Sequence, residues 1–164
     1  MKIGINGYEA VVPRFGYNKT TGLPNRAGSS EYVYCLLQSL YEISLKDKTN
    51  EFFIYLPISP ASDLPKETAN WKYVVIPKKS IWTLIDLSWQ FLTKKPDLDV
   101  FLSPTHYLPA FCPCPSVISV MDLSYLHFPE LFKAKDLWQL RLWTKFSINK
   151  AQKVLTISQA SKND

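Results

Sequence analysis

The length, composition and charge of the chain exclude several classes of protein before any motif is considered. Its 164 residues, 46% hydrophobic and 20% charged, suffice for one well-buried domain spanning 1–164 and are too few for two of ordinary size. No long apolar run follows a basic start, so we expect no signal peptide, no transmembrane helix and a cytoplasmic location.

The cysteine content gives no sign of a disulfide framework or a metal site. Three cysteines, Cys35, Cys112 and Cys114, are an odd number. The Cys-Pro-Cys spacing suits neither a zinc knuckle nor a thioredoxin-type redox pair. We therefore expect ordinary reduced thiols.

Short apolar runs alternate with helical patterns along the whole chain. Apolar residues at helical spacing predict a helix near 30–45, with Ser29 and Ser30 able to cap its first turn, a second helical face over 81–92 and a third over 137–148. The runs typical of buried strands cover 2–6, 51–56, 72–76, 99–102, 116–120 and 153–157. This alternation predicts an α/β, Rossmann-like, doubly wound and mostly parallel sheet, in which ligands bind beyond the carboxyl ends of the strands.

A long irregular stretch, 7–27, follows the first predicted strand. Loops of this length in a compact domain are usually functional or disordered. It leads to Gly28, directly before the first predicted helix, where backbone N–H groups and the helix dipole favour a phosphate and glycine permits its close approach. The alternative is a glycine that serves only the turn.

A second irregular stretch, 103–132, follows two neighbouring predicted strands. His106 and Asp122 each come after a strand end, so both should lie on the same rim of the sheet as Gly28. The alternatives are a turn or helix cap for Asp122 and a structural role for His106 and for His127.

Several binding motifs are missing from the sequence. It contains neither a P-loop Gly-Lys-Ser/Thr nor a full Gly-x-Gly-x-x-Gly fingerprint, so ATPase and dinucleotide-binding functions lose their main support. No nucleic-acid reader motif is present either, and we expect no nucleic-acid partner.

The net charge of +5 comes from a single segment. Residues 133–153 contain six basic residues and one acid, whereas the remaining 13 basic and 13 acidic residues cancel. The same segment carries large apolar residues, a mixture expected of a helix that meets an anionic membrane surface. The alternative is that the apolar residues all pack on the sheet and the lysines form a solvated face. The six apolar residues are Leu137, Trp138, Leu140, Leu142, Trp143 and Phe146.

Three blocks of sequence resemble the N-terminal domain of GT-B glycosyltransferases of family 4. Residues 25–40, which begin Asn-Arg-Ala-Gly-Ser-Ser-Glu, resemble the family's glycine loop and first helix. Residues 117–132 resemble its stretch V-x-x-x-H-D-L-S-x-x-x-x-P-E-x-F, and 156–164 resemble a strand followed by S-x-x-S. The resemblance therefore spans nearly the whole chain.

The resemblance implies the acceptor-side half of a two-domain enzyme whose C-terminal, nucleotide-sugar-binding domain is absent from this chain. It implies that Gly28 approaches the donor diphosphate and that Asp122 is the catalytic residue beside the reacting sugar. It also places His106, Met121 and Ser158 among the substrate-binding residues. Met121 stands where the family usually has histidine, so a weak acceptor that cannot donate replaces a polar group.

The activity that the resemblance implies is retaining transfer of a hexose, in the manner of a mannosyltransferase, from a nucleoside diphosphate sugar to an acceptor hydroxyl of a glycan, polysaccharide or glycolipid. No metal or other cofactor is expected, and the isolated chain should be inactive. Two alternatives stay open. The chain could be a noncatalytic acceptor-binding or membrane-recruiting subunit of a split glycosyltransferase, or a small doubly wound signalling or flavin protein.

Overall fold

A computed structural model describes residues 1–12 and 15–163, and positions 13, 14 and 164 lie outside the described residues. Strands and helices alternate, as predicted, and each predicted strand is present with its ends within one residue of those expected. The strands are β1 (Lys2–Asn6), β2 (Glu51–Leu56), β3 (Trp71–Val75), β4 (Val100–Ser103), β5 (Ser116–Val120) and β6 (Lys153–Thr156). The helices are α1 (Tyr8–Val11), α2 (Ser29–Lys46), α3 (Asp86–Lys94), α4 (Ser124–His127), α5 (Ala134–Lys150) and α6 (Gln159–Asn163), with a 3-10 turn at Pro129–Leu131.

The six strands form one sheet in the order β3-β2-β1-β4-β5-β6, and every pairing is parallel. The predicted α/β doubly wound class is therefore confirmed, and the order is that of the Rossmann fold. The flavodoxin-like order has only one strand beyond β1 on that side, so the structure differs from the topology expected of a small flavin protein. Strand order reverses between β1 and β4, and ligands bind at the carboxyl ends of such a pair.

Each face of the sheet carries its own hydrophobic core, because parallel strands must be covered on both sides. Val33 and Leu37 of α2 pack with Ile5 and Ile54 on one face. Leu87 and Phe91 of α3 belong to the cluster on the other face. Right-handed crossovers place α5 on the α3 side, since both connections run in the same direction across the sheet.

The structure corrects three local expectations. The stretch 7–27, predicted as a loop, begins with the short helix α1. Gly28 is the N-cap of α2, so Ser29 and Ser30 lie inside the helix and do not cap it. The Ser30 hydroxyl instead accepts a hydrogen bond from the Ala27 amide at 2.9 Å. The apolar residues of 81–85 precede α3 in turns, and only the later part of the predicted second helix is helical.

The described chain carries three thiols and no disulfide among them. The Sγ atoms of Cys112 and Cys114 lie 4.0 Å apart, about twice the length of a disulfide bond. No helix within 1–12 and 15–163 is long and apolar enough to cross a membrane.

Candidate functional site

A buried hydrogen-bond network ties β1 to β4 where the strand order reverses. The Asn6 amide donates to the Ser103 hydroxyl at 3.0 Å, and the Tyr8 amide donates to the Asn6 side-chain oxygen at 3.1 Å. Ser103 in turn donates to the Tyr107 carbonyl at 2.6 Å. The polar side-chain groups of Asn6 and Ser103 are therefore hydrogen-bonded. These bonds fix the directions in which the loops after β1 and β4 leave the sheet.

A cleft of about 470 Å³ opens beside this network, at the carboxyl ends of β4 and β5 and the N-terminus of α2. Its walls include Gly28, His106, Met121 and Asp122. These four residues were predicted from the sequence as site residues. They line one cavity although they are spread over almost a hundred positions. The fold brings them together because their strands are parallel and end at the same edge.

Gly28 has a backbone conformation that other residues rarely adopt. Its φ of 57° and ψ of −123° lie outside the regions that L-residues favour. A Cβ added to Gly28 would meet no atom within 4 Å, so the position faces open space on the cleft side. Glycine is therefore required by the backbone, and it leaves the first turn of the 18-residue α2 accessible to a ligand.

Asp122 combines a local structural contact with a position in the cleft wall. One carboxylate oxygen accepts hydrogen bonds from the amide and the hydroxyl of Ser124, at 2.9 and 2.5 Å. This is the turn that the alternative interpretation expects, and it begins α4. The residue is exposed and lines the cavity, so its carboxylate is accessible from the cleft.

His106 links the loop after β4 to the end of β5. Its Nε2 atom lies 3.3 Å from the Met121 amide nitrogen and 3.3 Å from the Asp122 carbonyl oxygen. A ring with unprotonated Nε2 accepts from the amide, whereas the other tautomer donates to the carbonyl. His106 therefore fixes the backbone that carries Asp122 and also lines the cleft. His127 lies exposed on α4, outside the cleft wall.

Met121 and Ser158 play different parts in the structure. Met121 is buried in the cleft wall, where its thioether offers an apolar contact. Ser158 is not among the residues that line the cleft, although its neighbour Ile157 is, and it caps α6, since its hydroxyl accepts a hydrogen bond from the Ser161 amide at 3.1 Å. The Ser161 hydroxyl donates to the Met121 carbonyl at 3.0 Å. The S-x-x-S pair thus fastens α6 to the end of β5.

A second cavity of about 340 Å³ adjoins the cleft and shares with it Glu9, Thr105 and Tyr107. Its walls contain two aromatic pairs. Tyr8 and Trp82 have ring centroids 5.4 Å apart, and Tyr107 meets Trp143 edge to face at 5.6 Å. The Lys78 ammonium also lines this cavity and donates to the Tyr8 hydroxyl at 2.7 Å.

Glu9 is the functional candidate that sequence reasoning missed. It lies on α1 and accepts a hydrogen bond from the Ser29 hydroxyl at 3.2 Å. Its carboxylate therefore stands between the two cavities and next to the start of α2. The sequence position of Glu9 could have indicated this role. It lies three residues after β1, and the end of the first strand of a doubly wound sheet borders the ligand crevice.

The segment before Gly28 is anchored by a largely buried ion pair. Arg26 forms a bidentate contact with Asp63, at 2.5 and 3.0 Å, and its Nε donates to the Ala10 carbonyl at 2.9 Å. The guanidinium also lies 4.1 Å from the centroid of the Tyr34 ring. These contacts hold Gly28 in place relative to α1.

Comparison with known proteins gives no match: no family model, no curated protein and no solved structure matches the chain. In the part of the chain that the structure describes, no group of three or more His, Cys, Asp and Glu side chains could hold a metal ion. The expectation that no metal is required stays a prediction.

Proposed function

We propose that this chain is the acceptor-side half of a retaining glycosyltransferase, which moves a sugar from a nucleoside diphosphate sugar to an acceptor hydroxyl. One observation carries the proposal. Gly28, Asp122 and Glu9 converge on two adjoining cavities at the switch point of a Rossmann sheet. Transfer needs two substrates side by side with their reacting atoms in contact, and this arrangement provides two such spaces.

The cleft suits the donor. The first turn of α2 presents the positive end of a helix dipole, and Gly28 lets a diphosphate approach the backbone closely. As the glycosidic bond breaks, negative charge grows on the leaving diphosphate and is stabilised there. Asp122, on the opposite wall, faces the sugar. Further cations for the diphosphate would come from the separate donor domain, in cis or in trans.

The second cavity suits the acceptor. Its aromatic walls offer flat apolar faces for the C–H groups of a sugar ring, while hydroxyl and amide groups are available for hydrogen bonds. Glu9 lies where the two cavities meet, so its carboxylate can accept a hydrogen bond from the attacking hydroxyl. Met121 in place of the usual histidine removes a donor beside the sugar and favours a donor sugar with an apolar edge there.

The test is a transfer assay with the protein joined to its donor domain. Labelled nucleoside diphosphate sugars are offered with glycan and lipid-extract acceptors, and Asp122→Asn is compared with the parent. Asn can still accept the Ser124 hydrogen bonds but has lost the charge, so turnover should fall at least about tenfold, or about 1.4 kcal/mol in barrier. The matched control is Asp97→Asn, an exposed acid before β4 at the opposite end of the sheet, which should leave turnover unchanged.

Two results would contradict the proposal. No transfer with any donor and acceptor, despite a folded protein that binds a glycan, would favour the noncatalytic acceptor-binding subunit. Equally fast transfer by the Asp122→Asn variant would mean that Asp122 is not catalytic. Its role would then be limited to the turn that it forms with Ser124.

A further inference from the structure

Helices α3 and α5, with the segment 108–111 between them, form one continuous surface on one side of the sheet. The Ala110 amide donates to the Leu84 carbonyl just before α3, at 3.2 Å, and the Ala110 carbonyl accepts from the Lys150 ammonium of α5 at 2.5 Å. The Phe111 amide donates to the Ser88 hydroxyl of α3 at 3.1 Å. We call this the α3/α5 surface.

On α5, the large apolar residues divide between the sheet and solvent. Leu137, Leu140 and Trp143 turn inward and are partly buried. Trp138, Leu142 and Phe146 follow one another at intervals of four residues, form one stripe along the helix, and are all exposed. The alternative, in which all six pack on the sheet, is therefore wrong for three of them.

Helix α3 repeats this pattern on its own outer side. Leu87 and Phe91 are fully buried, whereas Ile85, Trp89 and Leu92 are exposed. Trp89 and Trp138 are 68% and 66% accessible, the highest values among the described tryptophans. The exposed Phe111 lies between the two helices. Apolar exposure on this scale, spread over two helices and their connection, marks an interaction surface.

The charges around these apolar residues are almost all positive. Two acids, Asp86 and Asp136, lie among them, and Asp86 accepts hydrogen bonds from the amides of Lys79 and Ser80. On the opposite side of the sheet, α2 carries Glu31 and Glu42 as well as Lys46. The basic residues on α3, on α5 and directly adjoining them are Lys94, Lys95, Lys133, Lys135, Arg141, Lys145 and Lys150.

We propose that the α3/α5 surface docks on an anionic lipid bilayer, with Trp89 and Trp138 in the headgroup layer. Exposed tryptophans flanked by lysines match that layer, where an apolar ring and a polar N–H are both accommodated. Bilayer phosphates match the positive rim. A second copy of the chain does not match this rim, because a symmetric contact would bring the same lysines of the two copies together. The Lys150 ammonium, bonded to Ala110, holds the surface together.

Docking would also place the second cavity at the membrane. Part of its wall comes from Lys78 and residues 80–83, which lead into α3, and from Gln139 and Trp143 of α5. The cavity therefore lies beside the same two helices that form the docking surface. This step rests on the proposed function: the acceptor is then a sugar on a lipid, which reaches the cavity without leaving the bilayer.

The test is flotation of the protein with phosphatidylcholine vesicles, with and without phosphatidylglycerol, at low and high salt. We expect binding to the anionic vesicles alone, weakened by salt, because exposed charges are screened over about 10 Å at 0.1 M. Lys135→Glu with Lys145→Glu should weaken this binding at least about tenfold. The matched control, Lys46→Glu with Lys48→Glu near the end of α2, reverses the same charges away from the surface and should bind like the parent.

Tryptophan fluorescence provides a second measurement on the same samples. Lipids brominated in their acyl chains should quench the tryptophan fluorescence of the unchanged protein. This quenching should fall strongly in the double variant Trp89→Ser with Trp138→Ser. Equal flotation with neutral and anionic vesicles, or equal flotation of the two charge-reversal proteins, would overturn the proposal. A dimer in sedimentation that Trp138→Ser abolishes, together with no vesicle binding, would assign the surface to a second copy. No sugar is present, so failure here is distinct from failure of the transfer assay.

Discussion

The two sides of the cleft are held by contacts of very different kinds. On the Gly28 side, the Arg26 side chain is only 7% exposed, pairs with Asp63 in bidentate fashion and also donates to the backbone. On the Asp122 side, the loops rest on hydrogen bonds of the exposed rim, made by His106 and Ser124. Under the proposed function, the side with the buried ion pair holds the diphosphate, which all donors share, and the side with the rim hydrogen bonds faces the sugar, which differs among them.

The largest effect should come from removing the Arg26–Asp63 ion pair on the Gly28 side. Arg26→Ala leaves the Asp63 carboxylate partly buried without its partner and should lower the free energy of unfolding by about 3 kcal/mol. Urea denaturation measures this change. Lys2→Ala removes an ion pair with Asp97 that is exposed to solvent, and it should leave the urea midpoint in place. Equal losses in the two variants would mean that the Arg26 pair is no stronger than a surface contact.

A smaller effect is expected at Gly28 in the protein joined to its donor domain. Gly28→Ala should reduce turnover at least about tenfold, or about 1.4 kcal/mol in barrier, because a methyl group then stands between α2 and the diphosphate. Steady-state kinetics measure it. Gly16→Ala is the matched control, since Gly16 also has a positive φ of 72° but lies outside both cavities. Comparable losses in the two variants would trace the effect to backbone strain.

The smallest effect should be on the Asp122 side. His106→Ala removes the ring that bridges the two loops and should lower the free energy of unfolding by about 1 kcal/mol, the value of a typical hydrogen bond. Thermal and urea denaturation measure this loss. A destabilisation as large as that of Arg26→Ala would end the contrast between the two sides.

The sheet was predictable because its signal is local. Each strand is a short apolar run between polar segments, and parallel strands covered on both faces need no other pattern. Asp122 and Gly28 could also be predicted, since Asp122 follows a strand end at the binding edge and Gly28 directly precedes a predicted helix. Helix α1 was not, because its four residues, Tyr8–Val11, are too few to show a helical period.

Tertiary partners account for what the sequence could not predict. Nothing beside Arg26 in the chain indicates Asp63, 37 positions away. Helical spacing alone likewise leaves open which apolar residues of α5 meet the sheet. Ser147 is on the buried face of α5, where its hydroxyl accepts a hydrogen bond from the Leu108 amide, and Trp138 and Leu142 are exposed.

The most direct test of the account is a comparison of donor and acceptor binding by this chain alone, by calorimetry and amide NMR. We predict that nucleoside diphosphate sugars bind weakly or not at all, since the proposed donor domain is separate. Acceptor glycans should shift the amides of Tyr8, Thr105 and Tyr107 around the second cavity. Tight, saturable binding of a nucleotide sugar, with no response to any glycan, would contradict the assignment of this chain to the acceptor side.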